Sequence, residues 1–249
     1  MKNFLRYLPL ISLLGIARLS AQGGPPMITD DPGVPGDGHW EISTAVTTAR
    51  REGERVTELP LVDINYGIGD RLQLKYEVAW LRRSDGTDTH AGLSNSLVGV
   101  KWRFYDAGEK AWSASLYPQL EFNNPGSHSD QRGLADQGTS FELPFQVMKD
   151  FGRFGFNADL GGVWHHGGGH EWFGGVAIGR EFSHGIEVAV ELHGEADSHF
   201  KKTALTANFG LRITLSGTHT LLVSLGRELH NGSEPRATLI AYLGLQTRF

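Results

Sequence analysis

Residues 185–195 read GIEVAVELHGE. Ile186, Val188, Val190 and Leu192 share one parity. Glu187, Ala189, Glu191, His193 and Glu195 share the other. Successive side chains of a β-strand point to opposite faces, so this segment makes a strand with one apolar and one ionic face. The side on which water lies decides the fold.

The code repeats on both sides of this stretch. In 71–80, Leu72, Leu74, Tyr76, Val78 and Trp80 oppose Arg71, Gln73, Lys75 and Glu77. In 111–122, Trp112, Ala114, Leu116, Leu120 and Phe122 oppose Ser113, Ser115, Tyr117, Gln119 and Glu121. Residues 154–164, 205–213 and 239–249 alternate in the same way. The pattern predicts twelve strands, near 38–50, 56–68, 70–82, 93–105, 109–122, 136–149, 152–165, 169–182, 185–197, 203–214, 218–229 and 237–249. The second, fourth and eighth alternate less cleanly. Each is about as long as a strand that crosses a bilayer at a tilt.

The connections alternate too. GIGD, DAGE, FGR, SHG and LSGT are tight turns, whereas most of the intervening ones are longer and polar. Short turns on one rim and long loops on the other are the layout of an outer-membrane barrel. An even strand count returns both ends to the short-turn rim, which is expected to be periplasmic.

A soluble barrel would need the apolar parity inside, and twelve strands would then enclose a large greasy cavity. A membrane barrel inverts this, with apolar residues on lipid and polar residues lining the lumen. Three features favour the inversion. Lys2 and Arg6, the apolar run Leu8 to Ile16, and then Ser20 and Ala21 have the layout of a cleaved signal peptide over residues 1–21. Trp40, Tyr66, Trp80, Phe104, Trp164, Trp172 and Phe249 lie near strand ends, where an aromatic girdle belongs. The last strand runs to Phe249 and must pair with the first, because an open edge in hydrocarbon leaves backbone groups unpaired.

The expected fold is therefore all-β: a single transmembrane antiparallel β-barrel of about twelve strands over 38–249, in the outer membrane of a Gram-negative cell. A Pro/Gly-rich periplasmic leader, 22–37, precedes it. Without residues 1–21 the chain holds 20 basic residues against 28 acidic, near −8, which speaks against nucleic acid as a partner. No cysteine is present, which removes thiol chemistry.

In the leader, Thr29, Asp30, Asp31, Pro32, Gly33, Pro35, Gly36, Gly38, His39, Trp40 and Glu41 carry a resemblance. The segment resembles the start of a bacterial outer-membrane family described as transporters and named after the meta-pathway of phenol degradation. The likeness extends more loosely over most of 25–249. It implies a barrel and passage of small molecules, and it supplies no catalytic residue. A last strand ending in Phe249 also resembles the signal read by the barrel-assembly machinery. The expected partners are outer-membrane lipid, the export and barrel-assembly machinery and a small-molecule solute.

The inward parity gives the candidate site. Glu77, Glu121, Glu142, Asp159, Glu187, Glu191 and Glu195 are its acids, and Lys75, Lys101, Arg103 and Arg212 its bases. Charges in a lumen need either pairing or water. Paired, they pack a closed interior; hydrated, they line a selective channel, and the acidic row of 187–195 would favour cations or neutral solutes. In the leader, Asp30, Asp31, Pro32 and Gly33 are read as turn-forming residues of a plug or strap under the barrel. Asp30, Asp31 and Asp37 supply oxygens without the spacing of an EF-hand loop. His165, His166 and His170 fall in a glycine-rich loop without a completed ligand pattern. No metal or cofactor is implied. The leading expectation is a passive channel or uptake barrel. The alternatives are a lipid-modifying hydrolase centred on His193 or His39, and an adhesive barrel acting through its 123–138 loop.

Overall fold

A computed structural model describes residues 23–108, 111–135, 138–183, 185–232 and 234–249. The expected signal peptide lies outside the described residues. The first strands are β1 (Trp40–Arg51), β2 (Glu54–Ile68), β3 (Leu72–Ser84), β4 (Thr89–Leu93), β5 (Ser96–Asp106), β6 (Trp112–Leu116) and β7 (Gln119–Phe122). A single 3-10 turn follows at Asp130–Arg132. The remainder are β8 (Thr139–Asp150), β9 (Phe154–His165), β10 (His170–Ser183), β11 (Ile186–Asp197), β12 (Thr203–Thr214), β13 (His219–Asn231) and β14 (Leu239–Arg248).

These segments make twelve staves. β4 and β5 are one stave broken at Ser94 and Asn95, and both pair with β3. β6 and β7 are another, broken at Tyr117 and Pro118, and both pair with β8. Proline has no N–H to offer a ladder, so the second break falls where the sequence removes a donor. At the first, Ser94 bridges the gap by taking the Ala79 N–H on its hydroxyl while its own N–H donates to the Ala79 carbonyl. All neighbours are antiparallel. β1 closes on β14 in register from Glu41 opposite Arg248 to Arg50 opposite Leu239. Beyond that register, Trp40 and Phe249 exchange backbone hydrogen bonds of 3.2 and 3.0 Å.

The parity is inside out. Val190 and Leu243 are more than half exposed on the outer wall, at 53% and 55%. Glu187, Glu191 and His193 are buried inside. The aromatic side chains cluster toward the rims. Trp40 meets Tyr66 with ring centroids 4.6 Å apart at the short-turn side. Phe141, Trp164 and Trp172 form a chain of rings at the other side. Tight turns use glycines at positive φ, such as Gly69 at 58° and Gly152 at 89°, which side-chain-bearing residues rarely adopt.

Three expectations change. The stretch 83–92 is not all loop, because β3 runs to Ser84 and Thr89–Leu93 extends a stave above the Ser94 break. β2 loses strict alternation because a bulge at Leu59 and Pro60 shifts its register on β3 between Glu58 and Leu61. The leader, expected as a plug or strap under the barrel, enters it. Residues 23–35 run inside the barrel, and Pro26, Met27, Thr29, Asp31 and Pro32 are buried there.

Leu192 lies near the middle of β11 and faces outward. Leu192→Arg is expected to cost about 2–4 kcal/mol, as for a charge on the lipid face near the midplane. Urea titration of the barrel in phospholipid vesicles measures it. A loss below about 1 kcal/mol would place Leu192 away from hydrocarbon.

Candidate functional site

The lumen is organised around the leader. A chain segment without regular structure carries backbone donors and acceptors that need partners when buried. Here the wall supplies them with charged side chains. Glu191 on β11 accepts from the N–H groups of Ile28 and Thr29 at 2.8 and 3.3 Å. Asp159 on β9 accepts from the Asp30 N–H at 3.1 Å. Arg212 on β12 gathers the carbonyls of Gly23, Gly24 and Pro25. Carboxylates hold the donors and a guanidinium holds the acceptors, the stronger class of hydrogen bond.

Lys101 on β5 is the central tie. Its ammonium donates to the Asp30 carboxylate at 2.8 Å and to the Asp31 carbonyl at 2.6 Å, and it sits 4.7 Å over the Tyr117 ring. Gln146 reaches the same Asp30 oxygen at 3.0 Å. Asp31 folds back to accept from the Gly33 N–H at 2.5 Å, which turns the leader at Pro32. The motif that reads as turn chemistry is thus also the anchor.

Three glycines make room for this segment. A Cβ on Gly67 would stand 1.9 Å from the Gly36 carbonyl oxygen. One on Gly175 would stand 2.1 Å from the Thr29 hydroxyl, with His193 and Asp159 also crowding the position. One on Gly210 would meet the Met27 methyl at 2.1 Å.

The remaining candidates divide by height. Lys75 sits between Asp63 and Glu77 at 3.1 and 2.8 Å. Glu187 lies 3.9 Å from Arg212. Glu142 accepts from Gln119 at 3.2 Å, and Glu121 accepts from Asn95 at 2.6 Å. Glu195 is 64% exposed at the long-loop end. Arg103 does not reach the middle of the lumen: it caps the short-turn rim through the Asp70 carbonyl and Asp106. The acidic row of β11 is therefore not a continuous filter, since Glu187 faces Arg212, Glu191 grips the leader and only Glu195 meets open solvent.

Asp63, Asn65, Gln73, Tyr117 and Gln146 were absent from the charged list and belong to the site. Asn65 donates to Asp63 at 2.9 Å, and Gln73 donates to Asn65 at 2.7 Å and to the Tyr117 hydroxyl at 3.2 Å. Gln73 and Tyr117 carry the inward parity, so polarity rather than charge would have found them. The β2 bulge hid Asp63.

Two cavities open inside the barrel, and only the smaller is lined by the leader. One of about 70 Å³ lies toward the short-turn rim, between the leader and the polar wall that includes Asp63, Lys75, Lys101 and Arg212. The other, about 390 Å³, opens toward the long loops. Its wall mixes Glu58, Glu77 and Glu121 with Val56, Leu61, Leu81 and Leu97, under Leu134 of the 123–138 loop.

The loop histidines and the leader carboxylates do not converge on one point. His165 lies 3.9 Å from Glu171, while His170 packs edge-on against Trp172. Asp37 accepts from Gly69 N–H at the rim, remote in role from Asp30 and Asp31. His193 stacks on Phe173 with its Nε2 3.8 Å from Glu195, and its Nδ1 faces the same spot beside Gly175 as the Thr29 hydroxyl and an Asp159 oxygen, all enclosed between leader and wall. His39 turns its ring to the Asp37 carbonyl.

Solved barrels share this architecture. An outer membrane channel from Pseudomonas putida F1 is 13% identical and superposes with a TM-score of 0.67, over 92% of this chain and 100% of that one. The fold is that of an outer-membrane β-barrel. The NanC porin is 10% identical with a TM-score of 0.62, over 83% and 98% of the two chains. The CymD monoaromatic hydrocarbon channel is 7% identical with a TM-score of 0.51, over 86% and 89%. No family model and no curated protein matches the chain.

Lys101→Met would leave the Asp30 carboxylate without its cation. Breaking such a pair costs about 3–5 kcal/mol when it is fully buried; Asp30 is partly exposed, so a smaller part of that is expected. Amide exchange over residues 28–36 should rise by at least about tenfold, corresponding to about 1.4 kcal/mol, while exchange in β9 to β12 stays as in the parent. Unchanged exchange in the leader would show that Lys101 does not hold it.

Proposed function

We propose that this barrel is a passive outer-membrane channel for small molecules, held nearly shut in the observed state by its own leader. The observation that carries the reading is that residues 23–35 occupy a polar lumen that still holds a cavity of about 70 Å³ against them. That segment is held largely by hydrogen bonds and ion pairs rather than by a strand ladder. Such contacts exchange with water and solute groups at modest net cost, so the leader is displaceable without unfolding the wall.

The fold neighbours that bear the names channel and porin support transport over catalysis. The long-loop rim is taken as extracellular and the short-turn rim as periplasmic, with Phe249 at the periplasmic interface as the assembly signal and residues 1–21 removed on export. The solute class follows from the outer cavity. Its apolar side chains stand beside three carboxylates and Arg83, which suits a small molecule with an apolar body and a polar group. The leader's resemblance to the phenol meta-pathway family and the name of the CymD channel both point to aromatic compounds, and the mixed wall accommodates a ring of that size.

Planar-bilayer recording tests the proposal. The full barrel is expected to pass small stepwise currents. Deleting residues 23–36 is expected to raise the step size several-fold, and Glu191→Gln to raise it by less, since Glu191 holds only two leader amides. Stepwise current in none of the three proteins would overturn the reading.

A further inference from the structure

The outer wall carries a feature that transport does not use. Most of the lipid-facing parity is apolar, yet Lys149 on β8 and Arg180 on β10 both point outward near the short-turn rim. Each cation lies over two rings. The Lys149 ammonium is 5.2 Å from the Trp112 ring and 4.9 Å from that of Phe151. The Arg180 guanidinium is 5.0 Å from the Phe154 ring and 4.8 Å from that of Phe182. Among the described residues these are the only cation–ring contacts on the outer wall; the other, Lys101 over Tyr117, is in the lumen.

The register makes them one patch. Trp112 is opposite Lys149, Lys149 is opposite Phe156, and Phe154 is opposite Arg180. The two cations therefore flank β9, two strand spacings across and two residues along, or about 12 Å apart. The Trp112 and Phe156 rings, carried by the strands on either side of Lys149, meet edge to face at 6.3 Å. Among the described residues neither cation has a carboxylate within 4.0 Å. Their chain neighbours Asp150 and Glu181 carry the opposite parity, and Asp150 accepts from the Gly152 N–H.

A cation facing lipid is tolerated where its stem lies along apolar surface and its head reaches the polar layer. At that depth the anion on offer is the phosphate of a lipid headgroup. Rings beside the cation supply surface for the glycerol and the upper acyl chain.

We propose that Lys149 and Arg180, with the rings around them, form a binding site for an anionic phospholipid headgroup at the short-turn rim. The inference rests on the barrel's placement in a bilayer and is independent of whether it conducts. Two cations without a counter-ion among the described residues select a lipid of net negative charge over a zwitterionic one, whose own ammonium competes for the phosphate.

Native mass spectrometry of the full barrel, released from non-ionic detergent with added phosphatidylglycerol or phosphatidylcholine, tests this. The parent is expected to retain phosphatidylglycerol preferentially, and sodium chloride should weaken that retention. The Lys149→Gln, Arg180→Gln double variant should retain it about thirtyfold more weakly, near fivefold per cation. The charge-preserving exchange Lys149→Arg with Arg180→Lys should retain it. Equal retention of the two lipids by the parent, salt-independent retention, or undiminished retention by the double variant would overturn the proposal. Displacement of the lipid by millimolar inorganic phosphate would reassign the patch to free phosphate. If the double variant fails to fold, the lipid preference and salt response of the parent still decide.

Discussion

A chain that crosses hydrocarbon as strands must leave no backbone hydrogen bond unmade, because lipid tails offer no partner and each orphan group costs several kcal/mol. The rest of this molecule depends on that constraint. It makes the first and last strands pair, which brings Glu41 opposite Arg248 although they stand at opposite ends of the barrel sequence. Their side chains then form a salt bridge of 2.7 Å beside the seam. It also decides how the two broken staves are repaired. At Tyr117 and Pro118 the Tyr117 N–H crosses to the Pro144 carbonyl, and the Pro118 carbonyl receives the Val100 N–H. A break in the strand does not become a hole in the wall.

Closure creates an interior, and the interior inverts the usual economy of a globular core. Charged and amide side chains fill it, and they need partners at least as much as the backbone does. The leader answers that need. Its amides take Glu191 and Asp159, its carbonyls take Arg212, and Asp30 takes Lys101. Wall and leader satisfy each other in a way that neither does alone. An ordinary apolar plug would have left these charges without partners, and a lumen of water alone would have left the leader outside. The glycines at 67, 175 and 210 permit the close approach on which this exchange depends.

Much of this was legible in residue order. The alternation of 185–195, repeated along the chain, specifies strands of one amphipathic sense, and the lengths of the connections specify which ends share a rim. Parity alone selects eleven charged positions for the inner side. The misses have local causes. Asp63 was passed over because a bulge at Leu59 and Pro60 slips β2 by one position, and a slip of one moves every side chain to the other face. Tyr117 and Gln73 were passed over because a search for charge does not see amides and phenols. Arg103 has the right parity and the wrong height, and parity carries no information about height.

What the sequence by itself determined is therefore periodic: twelve crossings, an oily side and an ionic side, and short turns below long loops. These follow from interactions between residues one or two apart, and such interactions are written in order along the chain. The path of the leader was decided only in three dimensions. PPMITDDPGVPG has no periodicity, and its partners Asp159, Glu191 and Arg212 lie 129 or more residues away. Only closure of the sheet brings those three strands around one axis, and only then do their charges have a common point to bind.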